Sequence, residues 1–213
     1  MVKQIEPVQQ VTELEVETGR LFSATHEEIK QGLTTDIYFV KTKEILQKMG
    51  RDDAEVVAEI FGRRPGVFAG LAEVKVLLDG LGLEVWSLEE GDAFQGKEVV
   101  MRIHGRYSHF GVYETAILGI LASSSGWATA ARIAKNAADG RPVLCFGARH
   151  VHPAVAPVME RAAIVGGADG ASCILGAKLA GLEPSGTVPH ALFLIVGDTL
   201  EAAQAYHAFM PPG

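Results

Sequence analysis

The chain has 213 residues, a formal net charge of −7 and a hydrophobic fraction of 48% with 7% aromatic residues. This length is enough for one large or two small domains, and the composition is typical of an α/β protein with a core rich in Ala, Val and Leu. The acidic charge, with Lys and Arg scattered along the chain, argues against a nucleic-acid groove or an anionic membrane surface as a partner.

The first part of the chain mixes strand and helix patterns without a strict βαβ alternation. Alternation around Leu14 and Val16 predicts a half-buried strand, and Thr25 with Glu28 has capping-box spacing, which predicts a short helix ending near Gly32. The patterns then predict a helix over 36–49, strands over 54–61, 83–88 and 98–104, a helix over 71–81 and a long helix over 113–138. Residues 1–140 are therefore interpreted as an α+β N-terminal domain that includes a long linking helix.

The turn Asp139-Gly140-Arg141-Pro142 joins a glycine stop to a proline and is the predicted domain boundary. After it the chain repeats strand and helix: a strand over 143–146, a helix over 154–164, a strand over 171–174, a helix, a strand over 191–196 and a helix over 200–210. This βα repetition predicts that residues 141–213 form the first part of a TIM-like α/β barrel. The predicted fold class is α/β, and the barrel is incomplete, because eight units need about 250 residues.

Three polar segments lie beside predicted buried strands in this second part: 146–150, 166–172 and 186–190. Residues at the carboxyl ends of barrel strands form the active sites of such folds, so these segments predict an anion-handling site. His190 directly precedes the predicted buried strand. No dinucleotide fingerprint, phosphate loop or nucleophile elbow occurs. The spacing of Cys145, His150 and His152 matches no zinc pattern, so no protein-bound metal is predicted.

Four ordered segments carry a resemblance to a known family: Thr35-Asp36-Ile37-Tyr38, Phe146-Gly147-Ala148-Arg149-His150, Gly166-Gly167-Ala168-Asp169-Gly170-Ala171-Ser172 and Gly186-Thr187-Val188-Pro189-His190. From about Leu21 to its end, the chain resembles the N-terminal portion of a nicotinate phosphoribosyltransferase of the compact archaeal and bacterial type. A substantial C-terminal part of the family's length has no counterpart. Quinolinate phosphoribosyltransferases share segments 90–92 and 125–129, which therefore indicate the type II superfamily and not the substrate.

The resemblance implies that nicotinate and phosphoribosyl pyrophosphate give nicotinate mononucleotide and pyrophosphate in NAD biosynthesis, with ATP hydrolysis through a phosphohistidine. It identifies His190 as that histidine and gives Arg149 the role of supplying positive charge. It also implies that Tyr38 stacks on the pyridine ring of a substrate bound in the neighbouring subunit. A homodimer with shared active sites follows. Magnesium is expected to arrive with phosphoribosyl pyrophosphate or ATP. The family often has a second arginine where this chain has His150, so His150 is given no role.

The same resemblance implies substrate contacts in the glycine-containing segments. Gly147 and Thr187 belong to matched segments, and the Gly167 amide and Ser172 hydroxyl are placed to approach phosphates, although simple turns have the same composition. Asp169 is assigned to a ribose hydroxyl or a metal-bound water, with capping of the next turn as the alternative. Structural alternatives also exist for the principal residues: a backbone hydrogen bond for His190, a surface salt bridge for Arg149 and core packing for Tyr38.

Two other functions remain open. A quinolinate phosphoribosyltransferase would have to neutralise a second carboxylate and would not couple to ATP. A noncatalytic dimerising or ligand-binding module is the second alternative, because phosphate-binding loops after the seventh and eighth strands of a barrel are not part of this chain. Cys145 and Cys173 lie among apolar or small residues, as reduced thiols do, and no signal-peptide or membrane-span pattern occurs, so a cytoplasmic protein without a membrane role is expected.

Overall fold

The computed structural model describes residues 3–210, and its mixture of helices and strands confirms the predicted α/β class. Among residues 3–210, no helix combines the length and the hydropathy of a membrane-spanning segment. The helices are α1 Val8–Thr12, α2 His26–Lys30, α3 Ile37–Lys48, α4 Leu71–Leu78, α5 Tyr107–Phe110, α6 Glu114–Ala137, α7 Ala156–Val165, α8 Ile174–Leu179, α9 His190–Val196 and α10 Thr199–Phe209. The strands are β1 Glu55–Phe61, β2 Gly66–Val67, β3 Glu84–Ser87, β4 Ala93–Phe94, β5 Val99–Arg106, β6 Leu144–Cys145 and β7 Gly170–Ala171.

A capping box begins α2, as the sequence predicts. The Thr25 hydroxyl accepts a hydrogen bond from the Glu28 amide at 3.2 Å, and the Glu28 carboxylate accepts one from the Thr25 amide at 2.7 Å. These two bonds satisfy amides that the first helical turn leaves without partners. Arg20 also donates to the Glu28 carboxylate, and this bond is the main reason that the pKa of Glu28 falls to about 2.

A three-stranded antiparallel sheet in the order β1-β5-β3 lies at the centre of the N-terminal part. Met101 and Ile103 on β5 face the core, whereas Arg102 between them faces outward and forms an ion pair with Glu59 of β1 at 2.7 Å. This alternation is the period-two pattern of a sheet with one buried face. Buried side chains from α4, α5, the 111–113 turn and α6 complete the same hydrophobic cluster.

A short parallel pair forms the start of the second part. Leu144 of β6 pairs with Gly170 of β7, and Cys145 pairs with Ala171. α7 connects the two strands and packs against α6 and α8. Because the strands are parallel, the turns that follow Cys145 and Ala171 leave the same edge of the pair.

Two predicted strands are wrong. Residues 14–17 form no strand, and Leu14 and Val16 are exposed, because an alternating pattern becomes a strand only where a neighbour supplies hydrogen bonds. Residues 191–196 belong to helix α9 instead of a strand. Pro189 lies immediately before this helix and Gly197, with a φ of +81°, ends it. A short apolar run does not distinguish a strand from a helix by periodicity.

The predicted division at residue 140 stays a prediction. The two parts are in contact there, because α6 packs on β2 in the first part and on α7 in the second. An ion pair also links the two parts of the chain: Arg161 of α7 donates to both carboxylate oxygens of Glu90, at 3.1 and 2.6 Å. Glu90 also accepts from the Gly70 amide at 2.8 Å. Burial acts to raise the pKa of Glu90, but the hydrogen bonds from Arg161 and Gly70 outweigh it and hold that pKa below its usual value.

The predicted final helix is confirmed as α10, whereas Pro211, Pro212 and Gly213, which were predicted to stop it, lie outside the described residues.

Candidate active site

The turn after β6 carries Arg149 to the carboxyl edge of the parallel pair. Ala148–His150 form one 3-10 turn, closed by the His150 amide, which donates to the Gly147 carbonyl at 2.9 Å. Arg149 is exposed, and no carboxylate within residues 3–210 forms an ion pair with it. Its guanidinium group is therefore available to hold a carboxylate or phosphate through two parallel hydrogen bonds.

Gly147 allows α7 to approach this turn closely. A Cβ atom at position 147 would lie 2.6 Å from Cε of Met159 on α7 and 3.6 Å from the sulfur of Cys145. Gly147 thus has a packing role. The close approach brings α7 directly beneath the Arg149 turn.

Glu160 on α7 is a buried carboxylate beneath both strand-end turns, and the sequence reasoning missed it. Its side chain is 0% exposed and accepts three hydrogen bonds: from the Ala148 amide at 3.1 Å, the Ser172 hydroxyl at 3.0 Å and the Cys173 amide at 2.5 Å. The pattern of α7 contained the signal. Glu160 falls at the same helical spacing as the buried residues Ala156, Met159 and Ala163, where an apolar residue is expected.

Ser172 lies immediately after β7, beside the Arg149 turn. Its amide donates to the Cys145 carbonyl at 3.1 Å, so the two strand ends remain joined beyond the ladder. Its hydroxyl proton is directed to Glu160. A hydroxyl has one proton to donate and two lone pairs to accept, so Ser172 can offer a ligand only its lone pairs in this arrangement.

Gly167 and Asp169 lie at the opposite edge of the pair, because both precede β7. The Asp169 carboxylate forms an ion pair with Lys135 of α6 at 2.6 Å and accepts from the Val143 amide at 2.7 Å. These two bonds, with Lys135 first, lower the pKa of Asp169. Gly167 has a φ of +109° and lies near the side chains of Arg132 and Lys135. The structure separates these two predicted residues from Gly147, Arg149 and Ser172.

Thr187 and His190 are both exposed. Thr187 lies in the extended segment before α9, and His190 follows that segment. The Ser185 amide donates to the Ala171 carbonyl at 2.8 Å, so this segment contacts the strand pair two residues before Thr187. His190 is the first residue of α9. The helix buries none of its residues, and Leu194 and Ile195 are 82% and 85% exposed.

Tyr38 belongs to a second cluster, at the N-terminus of α3. The Asp36 amide donates to the Thr115 hydroxyl at 3.1 Å, and that hydroxyl donates to the Asp36 carboxylate at 3.0 Å. The Tyr38 hydroxyl donates to the same carboxylate at 3.3 Å. The Tyr38 side chain is 56% exposed, so core packing does not account for it. Its ring is available to a flat ligand.

Glu114 and Tyr107 add charge and a second phenol to this cluster, and sequence reasoning missed both. Burial raises the pKa of Glu114. Burial and then the charge of Glu114 raise the pKa of Tyr107, while burial and the charges of Asp36 and Glu114 raise the pKa of Tyr38. No local spacing links these residues, because tertiary packing brings α3, α5 and α6 together. The cluster therefore has exposed aromatic and carboxylate groups, with both phenols protonated at neutral pH.

The two clusters pack on different elements. α3 contacts α1 and the 111–113 turn, whereas the turn that carries Arg149 contacts α7. Within residues 3–210 no group of three or more His, Cys, Asp or Glu side chains could hold a metal ion. Glu160 and Asp169, the carboxylates near the strand pair, are already engaged by the protein. Near the strand pair, the described residues thus offer no free carboxylate pair for a magnesium ion held by the protein alone.

Residues 36–125 match the family described as quinolinate phosphoribosyl transferase, N-terminal domain. A curated nicotinate phosphoribosyltransferase from Bacillus subtilis is 27% identical over 210 residues, which cover 82% of this chain and 43% of that protein. Nicotinate phosphoribosyltransferase pncB2 from Mycobacterium tuberculosis is 29% identical over 129 residues, which cover 60% of this chain and 28% of that protein. The chain thus spans less than half the length of these curated relatives.

Among solved structures, nicotinate-nucleotide pyrophosphorylase from Pyrococcus furiosus is 43% identical with a TM-score of 0.85, over 92% of this chain and 51% of that one. Human nicotinic acid phosphoribosyltransferase is 20% identical with a TM-score of 0.68, over 76% of this chain and 40% of that one, a likeness of fold alone. Together these comparisons point to the type II phosphoribosyltransferase superfamily.

Proposed function

From its place in the type II phosphoribosyltransferase superfamily, we propose that this chain takes part in nicotinate phosphoribosyl transfer coupled to ATP, in NAD biosynthesis. The observation that carries the proposal is the exposed Arg149 at the carboxyl edge of the strand pair, without an ion-pair partner in the described chain. An exposed guanidinium without an ion-pair partner at that edge suits the carboxylate of nicotinate or the pyrophosphate of the second substrate. The curated relatives named nicotinate phosphoribosyltransferase support the same substrate.

The proposed reaction forms one bond and breaks one. The lone pair of the pyridine nitrogen attacks the anomeric carbon of phosphoribosyl pyrophosphate, and the bond from that carbon to the pyrophosphate oxygen breaks. Pyrophosphate leaves with its electron pair, and the ring nitrogen becomes cationic without losing a proton. A site for this reaction must hold the acceptor in line and neutralise the leaving group. Arg149 supplies positive charge, and magnesium enters as part of the phosphoribosyl pyrophosphate complex.

Tyr38 is proposed to orient the acceptor ring. Its exposed side chain gives an offset aromatic face for an electron-poor pyridine ring. Asp36 and Thr115 hold the first turn of α3 in place through their hydrogen bonds. Because Tyr38 and Arg149 pack on different elements, we propose a homodimer in which Tyr38 of one copy completes the site that contains Arg149 of the other.

His190 is proposed as the phosphoryl acceptor from ATP. A neutral imidazole nitrogen attacks the γ-phosphorus, ADP leaves, and water later hydrolyses the phosphohistidine. The exposure of His190 at the start of α9 supports this role, because a phosphoryl group needs room around the ring. The exposed apolar side chains of α9 suggest, within this proposal, that further βα units cover that helix in an intact barrel.

Quinolinate phosphoribosyl transfer is the second candidate. It is favoured by the family match over residues 36–125 and by the 43% identity to nicotinate-nucleotide pyrophosphorylase from Pyrococcus furiosus, a quinolinate phosphoribosyltransferase. The purified protein, given magnesium and phosphoribosyl pyrophosphate, should form mononucleotide from nicotinate about 100-fold faster than from quinolinate, because a second carboxylate without a paired cation is strongly disfavoured in a closed site. ATP should increase the rate with nicotinate. Mononucleotide formation is measured by chromatography for each acceptor, with and without ATP.

Two histidine variants serve as the matched pair for this test. His190→Ala should lose the increase due to ATP, whereas His207→Ala, which changes an exposed histidine of α10, should keep it. Faster turnover of quinolinate, with no effect of ATP, would favour the second candidate. Binding of phosphoribosyl pyrophosphate without turnover of either acceptor would favour the noncatalytic ligand-binding alternative.

A further inference from the structure

Glu160 is an unusual residue for the interior of this fold. It is 0% exposed, and within residues 3–210 no Lys, Arg or His forms an ion pair with it. A buried carboxylate without a cation is unfavourable unless other donors replace its hydration. Two backbone amides and one hydroxyl do so here. The carboxylate thus has hydrogen-bond donors for both of its oxygens, although the other buried residues of α7 are apolar.

The donors come from both strand-end turns. Ala148 belongs to the turn that carries Arg149 after β6, and Ser172 and Cys173 belong to the turn after β7. Oε1 accepts from Ala148 and Ser172, and Oε2 accepts from Cys173. One rigid group therefore links the two turns at the edge where a substrate is expected. Ala148 and Arg149 are neighbours, so displacement of the Ala148 amide would move the guanidinium.

The Ser172 hydroxyl is oriented by the same carboxylate. Because its proton points to Glu160, its lone pairs are the groups left for a ligand. Lone pairs accept from a sugar hydroxyl and repel phosphate oxygens. This chemistry differs from the phosphate contact expected from sequence and fits the ribose of phosphoribosyl pyrophosphate.

We propose that Glu160 is a positioning residue for phosphoribosyl pyrophosphate: it fixes the Arg149 turn and holds Ser172 ready to accept from a ribose hydroxyl. The inference rests on the proposed function, because phosphoribosyl pyrophosphate is the ligand only if that function is correct. Glu160 does not itself contact the substrate. Its effect on binding passes through Ala148 and Ser172.

The test uses three variants of the purified protein. Glu160→Gln keeps the size of the side chain. Its NH2 group cannot accept a hydrogen bond, so at least one of the three donors, the Ala148 amide, the Ser172 hydroxyl or the Cys173 amide, loses its acceptor. Ser172→Ala removes only the hydroxyl and serves as the milder variant. Glu90→Gln is the control, because it weakens the ion pair that anchors α7 through Arg161 without touching either turn. Melting temperature and the Kd for phosphoribosyl pyrophosphate, by calorimetry with magnesium, are measured for each.

We expect Glu160→Gln to bind phosphoribosyl pyrophosphate about 10-fold or more weakly, Ser172→Ala roughly 5-fold more weakly, and Glu90→Gln like the wild type despite a lowered melting temperature. Unchanged Kd values in the first two variants would overturn the inference while leaving the proposed function intact. If Glu160→Gln does not fold, the Ser172→Ala result decides. A wild type that binds but forms no nicotinate mononucleotide would contradict the proposed function and leave the inference standing. A wild type that does not bind would overturn both.

Discussion

Arg149→Ala should lower kcat/KM for nicotinate phosphoribosyl transfer by roughly 100-fold to 1000-fold, because it removes a charged donor pair from the proposed site for a carboxylate or pyrophosphate. The melting temperature should hardly change. Arg149 is exposed and no carboxylate of the described chain pairs with it, and substitutions at such positions usually change stability by less than about 0.5 kcal/mol. Steady-state kinetics and thermal unfolding measure the two effects separately.

Arg149→Lys distinguishes charge from shape. Lysine keeps the charge but not the planar fork, so its activity should fall between those of the wild type and the alanine variant. Arg51→Ala, which changes an exposed arginine in the turn after α3, is the control and should leave kcat/KM unchanged. If Arg149→Ala behaved like Arg51→Ala, Arg149 would be a surface residue without a role in the site.

Gly166→Ala should destabilise the protein by about 3 kcal/mol, at the upper end of the usual cost of overpacking. A Cβ atom at this position would lie 2.1 Å from the carbonyl oxygen of Ala128 in α6, a distance at which the backbone must move. For a protein of this size the melting temperature should fall by about 6 to 12 °C. Equilibrium unfolding in urea, with tryptophan fluorescence, gives the change in free energy of unfolding.

Gly119→Ala is the matched control for Gly166→Ala. Gly119 lies within α6, and apart from the adjoining backbone of that helix no heavy atom of residues 3–210 lies within 4 Å of the Cβ that alanine would add. Alanine has the higher helix propensity, so this variant should be more stable by roughly 0.5 to 1 kcal/mol. Equal stability of Gly166→Ala and the wild type would show that α6 and α7 are not packed as closely as described.

The N-terminal elements were largely predictable from sequence because they depend on local signals. The capping box at Thr25 and Glu28, the long Ala- and Ile-rich stretch of α6 and the glycine-containing turn before β5 each predict one element, and each element is confirmed. The fold class followed from the order of these elements. The pattern around Leu14 failed because strand formation also requires a neighbouring strand, which no local pattern shows.

The candidate site was predictable only in part. The segments that carry Arg149 and Ser172 do meet at one edge of the strand pair, as expected for turns after parallel strands. Gly167 and Asp169 lie at the other edge, because their segment crosses the strand and only its end reaches the carboxyl side. Glu160 was missed because its partners, Ala148, Ser172 and Cys173, are 12 to 13 positions away and come together only through the packing of α7.

The two clusters together account for the proposed chemistry only if they act on one ligand. The Tyr38 cluster has an aromatic face and carboxylates, and the Arg149 turn has a cation that forms no ion pair within residues 3–210. Neither alone can both orient a pyridine ring and neutralise pyrophosphate. In a twofold symmetric dimer, each copy supplies one cluster to each site, so two equivalent composite sites result.

Mixing the variants Tyr38→Ala and Arg149→Ala, each expected to lose most of its activity because it lacks one half of the composite site, tests this site most directly. After dissociation and reassembly in equal amounts, half of the dimers are mixed and each mixed dimer has one intact site, so nicotinate-dependent pyrophosphate release should return to about a quarter of the wild-type rate. When either variant is dissociated and reassembled alone, the rate of pyrophosphate release should stay as low as before. A mixture that stays as inactive as its components would contradict a nicotinate phosphoribosyltransferase site shared between two copies of the chain.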